Sequence, residues 1–351
     1  MSNNLEKDLQ FSSHSRGLGG NIKVGIIGGA GYTGGELLRI LINHPTVEIT
    51  FVNSNSNAGN FISDVHTDLL GDTDLKFTNQ LSQEIDVLFL CVGHGDARKF
   101  LEANAFNDSI KIIDLSQDFR LNQMSEIGNR KFVYGLPEMN KKAIKSAKNI
   151  ANPGCFATCL QLGLLPLAKA GLLKSEVHIS ATTGSTGAGQ KPGANTHFSW
   201  RNNNLSVYKA FEHQHLNEIG ESLNSLTPTL SEEEGAGLRL NFIPYRGAFP
   251  RGIIASMYLD CDLSLEEAEK IYQDFYADAP FTHISKQNID LKQVVNTNKC
   301  LIHLEKHGNK LMIISIIDNL LKGASGQAVQ NMNLMFGLEE TMGLKLKASY
   351  F

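Results

Sequence analysis

The chain carries no surplus of either charge. Its 36 acidic and 32 basic residues leave a formal net charge of -4, which offers no basic field to a nucleic acid. Cysteine is scarce, five in 351 residues. That odd number, without the paired spacing of a zinc site or a disulfide framework, points to free thiols in a reducing cytoplasm. No apolar run reaches the length of a membrane span, so no membrane partner is expected. The first twenty residues are rich in Asn, Ser and Gly and lack the apolar core of a signal peptide, so 1–20 reads as a flexible leader. What is present, 42% apolar and 19% charged residues, is ordinary for a globular protein long enough to form two domains.

Order begins with the β-branched run Ile22 to Ile27, followed by Gly28, Gly29, Ala30, Gly31, Tyr32, Thr33 and Gly34. Leu37, Leu38, Leu41 and Ile42 then share one helical face, which gives strand, glycine turn and helix. Backbone amides in such a turn approach a pyrophosphate at the helix N-terminus, and these seven residues are candidate dinucleotide ligands. The spacing is G-x-x-G-x-x-G rather than G-x-G-x-x-G, and a plain tight turn is the competing reading. A second strand, Val47 to Val52, ends without the acidic residue that would hold the ribose 2′-hydroxyl of NAD. Ser54, Asn55 and Ser56 stand there instead; as neutral donors they tolerate a 2′-phosphate and lean the choice to NADP, while an exposed polar loop is the alternative.

Two more buried-type strands, Ile85 to Val92 and Ile110 to Leu115, run into Gly93-His94-Gly95 and Ser116 to Arg120. Strand ends of a parallel sheet face the ligand crevice, which makes Gly93 a candidate nicotinamide contact. Arg120 is either an anion grip or a surface ion-pair partner.

Asn152-Pro153-Gly154 is a turn, and the aliphatic run behind it has helical length, so Cys155 is expected at a helix N-terminus. Unpaired amides and the helix dipole favour a thiolate there, against the alternative of a buried cysteine serving as a small hydrophobe. A cysteine nucleophile needs a base close in space. If Glu212 to Leu223 is helical, His215, Glu218 and Ile219 share a face, and Glu218 accepts a proton bond from the His215 ring. His213 and His215 point to different sides and find no third ligand, so no metal is expected.

The second half reads as an α+β domain with a mostly antiparallel sheet, containing strands Glu176 to Thr182, Arg239 to Pro244, Gly252 to Leu259 and Lys310 to Ile317. Ser264 to Tyr276 is a helix opened by a capping box of Ser264 and Glu267. The glycine-rich loop 184–189 is either an anion cradle or a connector, with Gly187 a candidate cofactor contact. Asn319, Lys322 and Gly323 precede a helical stripe of Ala324, Ala328, Met332 and Met335, which is expected to return to the first domain and cover the cofactor; a packing helix is the alternative.

The segment 152–158, the turn 28–34, Asp118-Phe119-Arg120, Tyr134 to Glu138, His213-Gln214-His215 with Glu218-Ile219, Arg251-Gly252-Ile253 and 318–333 together resemble the N-acetyl-gamma-glutamyl-phosphate reductase family. They follow the family order over nearly the whole chain from Lys23. The resemblance implies an NADP-binding Rossmann domain and a second domain of the glyceraldehyde-phosphate dehydrogenase type for catalysis and dimerisation. It places residues 21–154 and 319–351 in the first and 155–318 in the second. It implies Cys155 as nucleophile, His215 as base, and Arg120, Asn152, His213, Glu218 and Arg251 as substrate contacts in a step of arginine biosynthesis. The family usually has His-Arg-His-x-Pro-Glu-Ile, where this chain has Gln214 and Asn217; Asn55 stands where an arginine is frequent, and Cys159 replaces a small residue.

On this reading Cys155 attacks an acyl phosphate and holds a thioester that a hydride reduces to a semialdehyde. The backbone amide of Cys155 and the Asn152 side chain would stabilise the oxyanion. Rival readings are a reductase of N-succinyl-glutamyl or aspartyl phosphate, and a non-catalytic NADP-binding redox sensor using Cys155 and Cys159. A homodimer or homotetramer is expected from the wide apolar sheet.

Overall fold

A computed structural model describes residues 20–226 and 238–350. Of the leader expected over 1–20, all but Gly20 lies outside the described residues.

The first sheet contains β1 (Ile22–Ile27), β2 (Val47–Asn53), β3 (Phe77–Thr78), β4 (Val87–Leu90), β5 (Lys111–Asp114), β6 (Glu126–Ile127), β7 (Arg130–Tyr134) and β8 (Asn149–Ala151). Their order is β3-β2-β1-β4-β5-β8-β7-β6, and only the β6–β7 pair is antiparallel. All four residues of β4 are buried, because helices cover both faces, which is why such strands read as unbroken apolar runs. The helices here are α1 (Tyr32–Leu41), α2 (Asp96–Ala103) and α3 (Pro137–Ser146). Strand order reverses between β1 and β4, so a crevice opens at their C-terminal ends, the doubly wound arrangement expected of a Rossmann domain.

Beyond β8 the chain enters α4 (Cys155–Lys169), in which every residue from Phe156 to Ala168 is buried. A helix apolar on all sides belongs in the middle of a core. Pro166 has no N–H to give Leu162, and the Leu162 carbonyl instead accepts the Tyr276 hydroxyl. α4 lies on a second sheet of β9 (Val177–Thr183), β10 (Ser206–Val207), β11 (Leu240–Arg246), β12 (Ile253–Asp260), β13 (Thr282–Ser285), β14 (Cys300–His307) and β15 (Lys310–Ile317). The order is β10-β11-β9-β12-β15-β14-β13, with parallel pairs only at β11–β9 and β14–β13. The mostly antiparallel α+β expectation therefore holds.

The remaining helices are α5 (Phe198–Arg201), α6 (His215–Leu226), α7 (Leu265–Phe275) and α8 (Gly326–Met335). α7 opens on the expected capping box, with Ser264 and Glu267 bonding each other's backbone N–H. α8 leaves the second sheet and packs Ala328, Val329 and Met332 beside Leu37 and Leu38 of α1 in the first core. Among the described residues no helix is long and apolar enough to cross a membrane.

Candidate active site

At the end of β1 the chain turns on Gly28, whose φ of +77° is left-handed and suits glycine. A Cβ there would lie 2.4 Å from the Cys91 carbonyl oxygen, and one on Gly29 would lie 2.2 Å from Val52 Cγ1. One on Gly34 would come within 2.7 Å of the Gly28 and Gly29 backbone. The turn is thus pressed against its neighbours, with Ala30 half-buried in it, and α1 starts directly upon it. Gly31 is the N-cap; no side chain caps this end and no acid occupies its first turn. The amides of Tyr32 and Thr33 are placed where a pyrophosphate would need them.

Two cavities meet at this turn and at Val92. One, of about 680 Å³, is lined by Gly28, Ser54, Asn55 and Ser56; the other, of about 540 Å³, by Gly31, Tyr32, Thr33, Gly93, Gly187, Asn319 and Gly323. A turn with no room for a side chain at Gly28, Gly29 and Gly34, with a cavity on either side, fits a dinucleotide whose two nucleosides flank a pyrophosphate.

Cys155 is the first residue of α4 and lies half-buried on the wall of the 540 Å³ cavity. Gly323 is pressed against it, since a Cβ there would stand 2.8 Å from Cys155 Cβ. That approach depends on a π-helical turn, Leu321–Ser325, with Gly323 N–H donating to the Asp318 carbonyl at 2.9 Å and Ser325 N–H to Leu320 at 2.8 Å. Asp318 shapes the turn, its Oδ1 accepting the Leu320 and Leu321 amides and its Oδ2 the Asn296 amide. Enclosure raises the Cys155 thiol pKa; the Phe156 amide and the Arg120 and Arg246 guanidiniums oppose the rise, and Glu218 adds to it. Desolvation thus works against the thiolate expected from the helix end.

α6 begins at His215 rather than Glu212, because His213 Nδ1 accepts the His215 amide at 3.2 Å and closes the turn before the helix. The His215 ring lies on the N-cap of α4: a Cβ on Gly154 would be 2.5 Å from its Cε1 and Nε2. Burial, then Arg120 and His213, hold its pKa well below the ordinary histidine value, so the imidazole is neutral. Its buried Nδ1 has no hydrogen-bond partner among the described residues. Glu218 does not orient this ring by a hydrogen bond, because its Oε1 is 3.8 Å from Nε2. Oε1 accepts from Arg120 Nη1 at 3.1 Å, while Oε2 accepts the Tyr134 hydroxyl at 2.8 Å and the Gly154 amide at 3.2 Å.

Arg120 reaches the same cavity from the β5 side. Asp118 bonds the Gly95 and Arg98 amides at the start of α2, and Phe119 stacks on Phe132 with centroids 4.1 Å apart, which fixes the loop. The Arg120 guanidinium also donates to the Asn152 and Leu115 carbonyls, both at 2.9 Å.

Several expected contacts are placed elsewhere. Glu218 is buried behind the cavity and engaged with protein. Asn152 donates to the Ala324 carbonyl and accepts from Asn331, so its side chain is committed to packing rather than to an oxyanion. Arg251 forms paired bonds to Glu36 and Asp318, joining α1 to the end of β15. Lys322 is fully buried on Glu138 and Gln330. Neither lines the 540 Å³ cavity, whereas His213 does. Cys159 turns away from Cys155 to the Ser315 carbonyl at 3.3 Å, and burial lifts its thiol pKa well above the ordinary value, which removes support for a Cys155–Cys159 sensor.

The cavity also contains Arg246, Tyr208 and Lys209, which the sequence reading did not choose. Arg246 stacks over the Tyr208 ring at 4.7 Å. Lys209 donates to Gln214 at 3.0 Å from a left-handed backbone, φ +46°, unusual for a residue with a side chain. No Asp or Glu is among the described residues lining this space.

A family model for the semialdehyde dehydrogenase NAD-binding domain matches residues 23–147, and one for the semialdehyde dehydrogenase dimerisation domain matches 155–319. N-acetyl-gamma-glutamyl-phosphate reductase of Phocaeicola vulgatus is 62% identical over 331 residues, 94% of this chain and all of that protein. The protein of the same name from Bacteroides thetaiotaomicron is 61% identical over the same shares. Among solved structures, aspartate semialdehyde dehydrogenase II of Vibrio cholerae, complexed with ASA, superposes with a TM-score of 0.67 at 16% identity, covering 90% of this chain and 98% of that one. Aspartate semialdehyde dehydrogenase of Candida albicans with NADP gives 0.67 at 12% identity and the same coverage. At these identities the likeness is one of fold.

Proposed function

The chain belongs to the N-acetyl-gamma-glutamyl-phosphate reductase family, and we propose on that premise that it reduces N-acetyl-gamma-glutamyl phosphate to N-acetyl-glutamate semialdehyde and phosphate with NADPH, in arginine biosynthesis. The observation that carries the reading is one cavity holding Cys155, the His215 ring and the amide end of α1.

Cys155 and His215 start as a neutral pair. His215 takes the thiol proton as sulfur attacks the acyl carbonyl; the carbon–oxygen bond to phosphate breaks, and a thioester remains on Cys155. The uncapped amides opening α4, at Cys155 and Phe156, support the negative charge that gathers on the carbonyl oxygen. When bound along the glycine turn, NADPH supplies the hydride for reduction of the thioester carbonyl. As the aldehyde forms, the carbon–sulfur bond breaks and His215 returns its proton to the departing sulfur.

The substrate brings a phosphate and a carboxylate to a cavity with three cations and no lining carboxylate. Arg120 is already paired with Glu218, which leaves Arg246 and Lys209 to grip the two anions. Arg246 stands beside the loop 184–189, and Lys209 takes the place of the arginine absent at 214.

Oligomerisation through the second domain fits its family description. The sheet face opposite α4 presents Ser180 and Tyr258 to the outside, and a homodimer across that face is our reading. Five free cysteines suit a reducing cytoplasm.

The test is phosphate-dependent reduction of NADP with N-acetyl-glutamate semialdehyde, beside the succinyl and aspartate semialdehydes. We expect the acetyl compound to be preferred, and Cys155→Ala to abolish turnover while retaining NADPH binding. Turnover in that variant would remove the nucleophile.

A further inference from the structure

We propose that Lys99 reads the 2′-phosphate of NADP, an inference that rests on NADP being the cofactor. The 680 Å³ cavity is where the adenosine half falls, between the end of β2 and the helix α2. On the β2 side the wall is neutral. Asn53 donates its amide to the Thr78 carbonyl at 3.1 Å, and the Ser54 and Ser56 hydroxyls both accept from Asn57 Nδ2 at 3.1 Å. Neutral donors accommodate a ribose hydroxyl and a phosphate alike, so discrimination requires a positive charge near the ribose.

The facing wall is α2, and it supplies that charge. Asp96 and Lys99 are the only charged side chains among the described residues lining this cavity. They stand 4.0 Å apart with side chains 62% and 78% exposed, a solvent-screened pair too weak to hold the ammonium away from a dianion. Asp96 sits at the Gly93 edge, where a Cβ on Gly93 would lie 2.9 Å from its Oδ2. Lys99 is one turn further along, beside Phe100 and Ala103. Two cations elsewhere around the first sheet are engaged: Arg39 bonds Asp68 and Glu36, and Lys76 stands 4.4 Å over the Phe61 ring. The charge that the neutral β2 wall lacks is thus supplied from a different element.

The experiment measures binding of 2′,5′-ADP and of 5′-AMP, which differ by the 2′-phosphate alone, to the full chain and to Lys99→Ala and Lys99→Arg by calorimetry. The unsubstituted protein should prefer 2′,5′-ADP, with a preference that shrinks as salt is raised. Lys99→Ala should weaken 2′,5′-ADP by about tenfold, a charge-assisted contact at an exposed site, and leave 5′-AMP unchanged. Lys99→Arg should restore most of the loss. Equal affinity of Lys99→Ala and the unsubstituted protein for 2′,5′-ADP would overturn the assignment of Lys99. Equal affinity of the unsubstituted protein for the two nucleotides would instead overturn the NADP reading itself.

Discussion

Gly154→Ala perturbs the packing of His215, and beside it Arg120, on the start of α4. Gly154 has φ -70° and ψ 156°, extended backbone that alanine adopts without strain, so the only change is the added methyl group. Its carbon would lie 2.5 Å from Cε1 and Nε2 of His215 and 2.7 Å from Arg120 Nη1. An unstrained contact needs roughly 3.5 Å, so the ring must retreat by about 1 Å. It has little room, with the His213 ring centroid at 4.6 Å and Phe156 at 6.4 Å, while Arg120 is fixed by three bonds. Overpacking of this kind costs about 1–3 kcal/mol of stability. A displacement of about 1 Å in a reacting group lowers the rate roughly 100-fold. The assay is kcat/KM for phosphate-dependent semialdehyde oxidation beside the thermal midpoint. Gly220→Ala is the control: Gly220 lies in α6 with nothing within 4 Å of an added Cβ, so that variant should keep its rate. A Gly154→Ala enzyme as fast as the unsubstituted one would refute the placement of the ring on this N-cap.

Two further outcomes follow from the geometry. Because the Cys155 thiol pKa is raised and that of His215 lowered, alkylation of Cys155 by iodoacetamide should keep rising with pH beyond the range of a free thiol. The acid limb of kcat/KM should lie well below the ordinary histidine value, and a limb at that value would reassign the base. Arg251→Ala should lower stability by about 3–5 kcal/mol, as expected when two buried carboxylates lose a shared cation, and leave KM for the acyl phosphate unchanged. Arg246→Ala should raise that KM with little change in thermal midpoint; reversal of this pattern would restore Arg251 as the substrate contact.

The contrast between the two arginines shows where sequence ran out. Both stand in 245–251, which composition alone presents as a polar turn. β11 continues to Arg246, two residues past the proline that marks the end of the strand in the sequence pattern, and alternation puts Arg246 on the side of buried Phe242. Parity along the strand was the available signal. β1 and β15 were readable in full, and the capping box of α7 marked its own start, because each signal is local. Lys322 and Glu218, both buried outside the cavity lining, were hidden from sequence for the opposite reason. A lysine beside a glycine and a glutamate one turn after a histidine look like ligand contacts until their partners, Glu138 for the first and Arg120, Tyr134 and Gly154 for the second, arrive from distant chain. Lys209 and Phe211 in left-handed conformations leave no local mark at all, since neither is a residue type that announces it.

The polypeptide passes between its two sheets by the segment after β8 and again by the π-helical turn after β15, and these two passages touch at Cys155 and Gly323. The Cys155 sulfur therefore belongs to neither half alone. Exchanging the cofactor half with that of a distant relative would bring in one passage without its mate, and the sulfur would lose the close backbone contact that defines its position. A change of side chain at one passage therefore has to be matched by a change at the other.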